Sequence, residues 1–99
     1  DVLCFGHTHK PYHRIFEVTE SGTPQFKHAI NLGSIGKPKD SDNRGSYVIL
    51  NFNENSSVLN KDSITVEFVK FTYDIEKAAK AVEDSVLPNS YAENLRNGY

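Results

Sequence analysis

Two histidines separated by one residue, His7 and His9, follow the apolar run Val2, Leu3, Cys4, Phe5 and a glycine, Gly6. Neutral imidazole is the commonest protein metal ligand. In an extended segment residues i and i+2 project to one side, so two imidazoles spaced this way can hold one divalent ion or reach two ions ~3.5–4 Å apart. Sites of α/β folds gather at strand ends of this kind, and Gly6 lets the chain turn and leaves room beside the imidazoles. The residues alone also fit a plainer reading, a surface turn that happens to hold two histidines.

A second segment with chemical content is the glycine-rich stretch from Gly33 to Gly45. Lys37, Lys39 and Arg44 lie in it and could hold a phosphate, Arg44 with two parallel hydrogen bonds. Asp40 and Asp42 interleave with them, which favours a solvated loop of mixed charge. Gly33, Ser34 and Gly36 look like an anion-cradling turn, but no helix pattern follows, so a phosphate loop is excluded and the segment is expected to shape a site wall. His13 and His28 are placed to face one another across a hairpin, a pairing expected to be structural.

The elements that must position these residues are strands first and helices last. Residues 2–6 read as a short strand buried on both faces. After Pro11, residues 12–18 and 25–32 flank the turn signal at 20–24 and form a hairpin. Residues 46–52 and 63–71 supply two more strands, with Ile64, Val66 and Phe68 on one face. The loop from 33 to 45 is long enough that it should either bind something or be disordered. Asp74 caps a helix whose stripe Ile75, Ala78, Ala79, Val82 and Val86 faces a sheet, and Pro88 ends it. Ser90 with Glu93 forms a capping-box pattern, and Gly98 stops a last short helix.

Composition narrows the function class. At 99 residues the chain is one small domain at most, too short for a large enclosed pocket of its own. Eleven Lys and Arg against thirteen Asp and Glu give a net charge of −2, so no footprint for general nucleic-acid binding or an anionic membrane exists. The aromatic residues fall at sheet spacing without basic interleaving, as a core does and a base-stacking platform does not. One cysteine cannot build a disulfide framework, and no run approaches the ~20 apolar residues of a membrane span. These features fit a cytoplasmic protein. Asp1 stands at the mouth of a strand with no leading loop, as in the middle of a longer chain.

The segments CFGHTHKPYHR, NLGSIGKPKDSDNRGSYVIL and FVKFTYDIEKAAKAVEDSVLP, in that order, resemble the C-terminal half of calcineurin-like metallophosphoesterases. The likeness is strongest to the small bacterial branch called diadenosine tetraphosphatase-like or phosphodiesterase-like. It implies the C-terminal part of a four-layer α-β-β-α sandwich, mostly antiparallel strands followed by C-terminal helices, with residues 1–99 as one segment of a single domain. His7 and His9 match the family's last metal-binding motif, and by that resemblance His7 ligates the second and His9 the first of two divalent ions, whether manganese, iron, zinc, nickel or cobalt. Thr8 falls at a variable position, where no role is expected of its hydroxyl. Asn31, Gly33, Ser34, Ile35 and Gly36 match a second motif in which Leu32 replaces the usual proline. Arg44 matches a family pattern in which an arginine precedes a small residue and the next strand, and with Lys37 it is the candidate contact for a phosphoester substrate.

The family's upstream motifs, which bring the bridging aspartate and the histidine that protonates the leaving group, have no counterpart here. The chain is therefore expected to hold no catalytic residue of its own. It should need a missing N-terminal half as partner, be inactive alone, and self-associate if left without it. The intact protein would hydrolyse phosphomonoesters, phosphodiesters or dinucleoside polyphosphates. The alternative is a non-catalytic β-rich binding or assembly module that keeps a relic metal motif.

Overall fold

The structure, a computed structural model, describes all 99 residues as five strands followed by two helices. Strands β1 (Val2–Phe5), β2 (Tyr12–Glu20) and β3 (Thr23–Asn31) form one sheet in the order β1-β3-β2. β4 (Gly45–Asn51) and β5 (Thr65–Phe71) form a second, antiparallel sheet. Helices α1 (Ile75–Glu83) and α2 (Ser90–Asn97) close the chain. This is the expected α/β architecture, with β1 on β3 as the one parallel pair.

The hairpin is longer than its apolar pattern. Ser21 and Gly22 both take positive φ, +52° and +79°, which makes a two-residue turn whose twist matches the strands and extends pairing to Glu20 and Thr23. Register places Val2, Cys4, His13, Ile15, His28 and Ile30 on one face of the sheet. That face turns toward the second sheet, where Val2 shares an apolar crevice with Leu50, Phe52 and Ile64. Before the start of β1 the Val58 carbonyl takes the Phe26 N–H at 2.7 Å, so the β4–β5 connection lies along the same edge of β3 as β1.

Four local expectations are corrected. β1 is not buried on both faces: it is an edge strand, and Leu3 is 64% exposed because no element packs over its face of the sheet. The α1 stripe packs on α2 instead of a sheet, with Ala79, Ala92 and Leu95 at the contact and Ile75, Ala78 and Val82 around it. α1 stops at Glu83, a turn before Pro88, because the Ser85 hydroxyl donates to the Val82 carbonyl and competes with helical continuation; Val86 is left fully exposed. Ser90 opens α2 without a capping box: Asn89 is the cap residue and makes no side-chain cap bond, while Glu93 pairs with Arg96. The Asp74 cap and the left-handed Gly98 stop stand as expected.

Taken alone, the chain encloses little. Ten of 99 residues are buried, and the radius of gyration is 17.6 Å, against about 13 Å for a compact domain of this length. Its accessible surface of 6580 Å² exceeds the roughly 5,700 Å² typical of a monomer of this mass. The other face of the first sheet is open, with Leu3 and Phe16 sharing a crevice with Ala29 and Val18 also exposed.

On the face of the first sheet that meets the β4–β5 connection, His13 and His28 meet as expected, Nε2 of the first 2.9 Å from Nδ1 of the second. Burial lowers the His28 pKa, and His13 and the Asp1 amino group push it the same way. A histidine with a depressed folded-state pKa contributes stability that is present above the unfolded value near 6.5 and lost as pH falls through the folded value. Urea unfolding should therefore show stability falling between neutral pH and pH 5. A side-chain NMR titration that puts the His28 pKa at or above 6.5 would refute this account.

Candidate metal-ligand turn

The segment that carries His7 and His9 is not extended. Both residues have left-handed backbone, φ +78° and +62°, and Thr8 N–H bonds the Gly6 carbonyl at 3.1 Å. The alternation argument for a common side therefore fails, and the two imidazoles are aimed by a tight turn. Left-handed geometry costs an L-residue about 1–2 kcal/mol, and strain of this kind persists only where surroundings over-determine it. Gly6, expected to supply the sharp turn, does not take positive φ; it leaves open space where a Cβ would point.

Asn31, at the end of β3, is fully buried beside this turn. Its Nδ2 donates to the Gly6 carbonyl at 2.9 Å and to Thr8 Oγ1 at 2.8 Å, and its Oδ1 accepts the Gly33 N–H at 3.0 Å. The amide orientation follows from the partners, since the Gly6 carbonyl can only accept. Thr8, whose hydroxyl was expected to have no role, is thus part of the network. Gly33 takes φ +82° and lies so close to Ser46 and Pro11 that a Cβ would meet Ser46 Cβ at 3.2 Å.

The long loop is an ordered hub. His9 Nδ1 lies 2.6 Å from the Lys37 carbonyl, and Lys39 N–H bonds the His9 carbonyl at 3.2 Å. A carbonyl only accepts, so Nδ1 carries the hydrogen and Nε2 keeps its lone pair, the arrangement that orients a histidine ligand. Ser34 Oγ caps the Lys37 N–H at 2.9 Å, and Tyr73 hydroxyl donates to the Ile35 carbonyl at 2.9 Å. Farther along, Lys70 grips Asp40 at 2.7 Å, and Ser41 and Asn43 bond the carbonyls of Gly98 and Arg96 at the end of α2.

The charged candidates divide. Lys37 places its ammonium 4.4 Å above the Tyr91 ring, so backbone and side chain of one residue join the histidine turn to α2. Arg44 is engaged with Asp42 through Nε and Nη2, at 3.0 and 2.8 Å, and holds that carboxyl well below the usual carboxylate range. A phosphate would have to displace this partner. Gly36, like Gly6, borders open space.

As a donor set the turn offers two imidazoles, one tied from behind by a carbonyl. No group of three or more His, Cys, Asp or Glu side chains converges anywhere in the chain. Two imidazoles could supply part of a metal shell but not the whole of one.

No family model matches the chain. It is 33% identical over 106 aligned residues to an uncharacterized protein of Methanocaldococcus jannaschii, an alignment covering 96% of this chain and 38% of that protein. The crystal structure of a metallophosphoesterase from Sphaerobacter thermophilus superposes with a TM-score of 0.68 at 23% identity, covering 99% of this chain and 42% of the other. The chain thus spans about two fifths of the length of each. Its α/β arrangement of two sheets and two C-terminal helices is the fold of the matching part of that metallophosphoesterase.

Proposed function

We propose that this chain is the C-terminal segment of a dinuclear-metal phosphoesterase domain, contributing His7 and His9 as ligands and Lys37 and Arg44 at the margin of the substrate site. The observation that carries the reading is the histidine turn itself. Two strained residues are held by a buried asparagine, and one imidazole is locked in the tautomer that frees Nε2. A relic motif in a non-catalytic module would have no reason to keep strain and restraint together, so that alternative gains no support.

Bound divalent ions supply Lewis-acid activation of water and charge neutralisation at the phosphoryl group. The residues of this chain orient that chemistry: the Lys37 carbonyl fixes His9 and Asn31 fixes the turn, while Arg44 would meet a phosphate only by giving up Asp42. Manganese, iron, zinc, nickel and cobalt all suit imidazole mixed with oxygen ligands. The bridging carboxylate and the leaving-group acid belong to a preceding half of the domain. Its layers would cover the exposed face around Leu3, Phe16 and Val18, and self-association of the 99-residue chain through that face is the substitute when the half is missing.

The test is a longer gene product that includes a D-x-H and G-N-H-[DE] half, assayed on bis-p-nitrophenyl phosphate with Mn²⁺. It should turn over substrate and lose activity with a chelator, while the 99-residue chain alone should match a metal-only control. An inactive longer protein across phosphomonoesters, phosphodiesters and dinucleoside polyphosphates, with all five metals, would overturn the assignment.

A further inference from the structure

The geometry points to Asn31 and the Thr8 hydroxyl as a positioning pair that holds His7 and His9 in the left-handed backbone from which they can act as ligands. The metal half of this inference rests on the ligand reading given above; the clamp itself rests on the hydrogen bonds.

Three connections converge on one buried side chain. Asn31 Nδ2 spends its two hydrogens on Gly6, before the first histidine, and on Thr8, between the two. Its Oδ1 holds Gly33, the entry to the loop that later brings the Lys37 carbonyl to His9. Thr8 Oγ1 also lies 3.4 Å from the Lys10 N–H, after the second histidine. Gly6, Thr8 and Lys10 alternate with His7 and His9, so every residue flanking a histidine is tied to Asn31 directly or through the Thr8 hydroxyl. Rotating either histidine toward ordinary negative φ would break this set. Asn31 is fully buried, so the lost bonds could not be replaced by water. Glutamine is too long and aspartate lacks the donors, which makes the amide specific for this turn.

Thr8→Val tests the clamp without threatening the fold, because Thr8 is exposed and the replacement has nearly the same shape. Thr8→Ser restores the hydroxyl. The 99-residue chain is titrated with Zn²⁺ while side-chain nitrogens of His7 and His9 and backbone shifts of residues 6 to 10 are followed by NMR. In the wild type both imidazoles should shift as Zn²⁺ is added, and the His9 midpoint is the one compared. Thr8→Val should raise that midpoint about tenfold, the usual scale for removing a group that orients a ligand, and should move the amide and Cα shifts of His7 and His9. Thr8→Ser should stay within about twofold of wild type, and Asn31→Ala should do at least as much damage as Thr8→Val. Thr8→Val with wild-type backbone shifts at both histidines overturns the clamp, whatever zinc does. Zinc that moves neither imidazole in the wild type overturns the ligand reading instead, and the backbone shifts still decide the clamp.

Discussion

Replacing His9 by alanine in the longer protein should lower kcat on bis-p-nitrophenyl phosphate by about 10²-fold or more, the scale of losing one well-placed electrostatic contributor to a transition state. The Lys37 carbonyl 2.6 Å from Nδ1 holds the imidazole in one tautomer and one orientation, so Nε2 is presented without a search among rotamers. Alanine removes the donor and leaves that carbonyl, in a part-buried setting, without its partner. The loss should fall on kcat at saturating metal as well as on metal affinity, because a vacated position is refilled by water with neither the charge distribution nor the fixed geometry of imidazole. His9→Gln, with one amide in place of the ring, should recover little. Wild-type turnover by His9→Ala at saturating Mn²⁺ would return the segment to its plain reading as a turn holding two histidines.

The strands were legible because their signals are local. The alternation at 12–18 and 25–32 and the apolar runs at 46–52 and 63–71 each fall on an observed strand. Ser21-Gly22 then decides how far the hairpin extends, since a turn with two positive φ values lets strands pair to its edge. The helices were legible in position and not in partner. The Ile75, Ala78, Ala79, Val82 stripe specifies an apolar face, and nothing in its period says whether a sheet or another helix covers it; Ala92 and Leu95 on α2 do.

The candidate site was legible in composition and misread in conformation. His7 and His9 were found by type and spacing, but a period-2 argument assumes extended backbone, and the strand ends at Phe5. The left-handed turn is imposed by Asn31, twenty-four residues after His7 in sequence and reached only because β3 lies parallel beside β1. Thr8 could be valued only once that neighbour was known. Arg44 shows the same limit in reverse: its type suits phosphate, but Asp42, two residues away, already occupies its fork. Mixed charge at Asp40, Asp42 and Arg44 in a long loop marks a segment able to pin itself, as Asp40 does on Lys70.

That pinned loop ends at a position where a single methyl group should matter. Gly45 opens β4 opposite Phe71 of β5, and the ring lies over it so closely that a Cβ would sit 2.7 and 2.8 Å from Cε1 and Cε2, with Cζ nearer still. The ring cannot simply swing aside, because Tyr47 and Tyr73 flank it with centroids 5.8 and 6.3 Å away. Gly45→Ala should therefore destabilise the chain by about 1–3 kcal/mol through overpacking, less the roughly 0.4–1 kcal/mol that alanine returns by restricting the unfolded chain. Thermal unfolding should show a drop of several degrees, and Phe71→Ala should cost its own packing yet remove most of the Gly45→Ala penalty when the two are combined. The effect should reach the histidines. Ser46 and Lys70 are paired in the next register of the same ladder, Lys70 anchors Asp40, and the loop from Gly33 through Asp40 carries the carbonyl that orients His9. A Gly45→Ala chain that melts with or above the wild type, or a double variant whose costs simply add, would show that the Phe71 ring is not what forbids a side chain at Gly45.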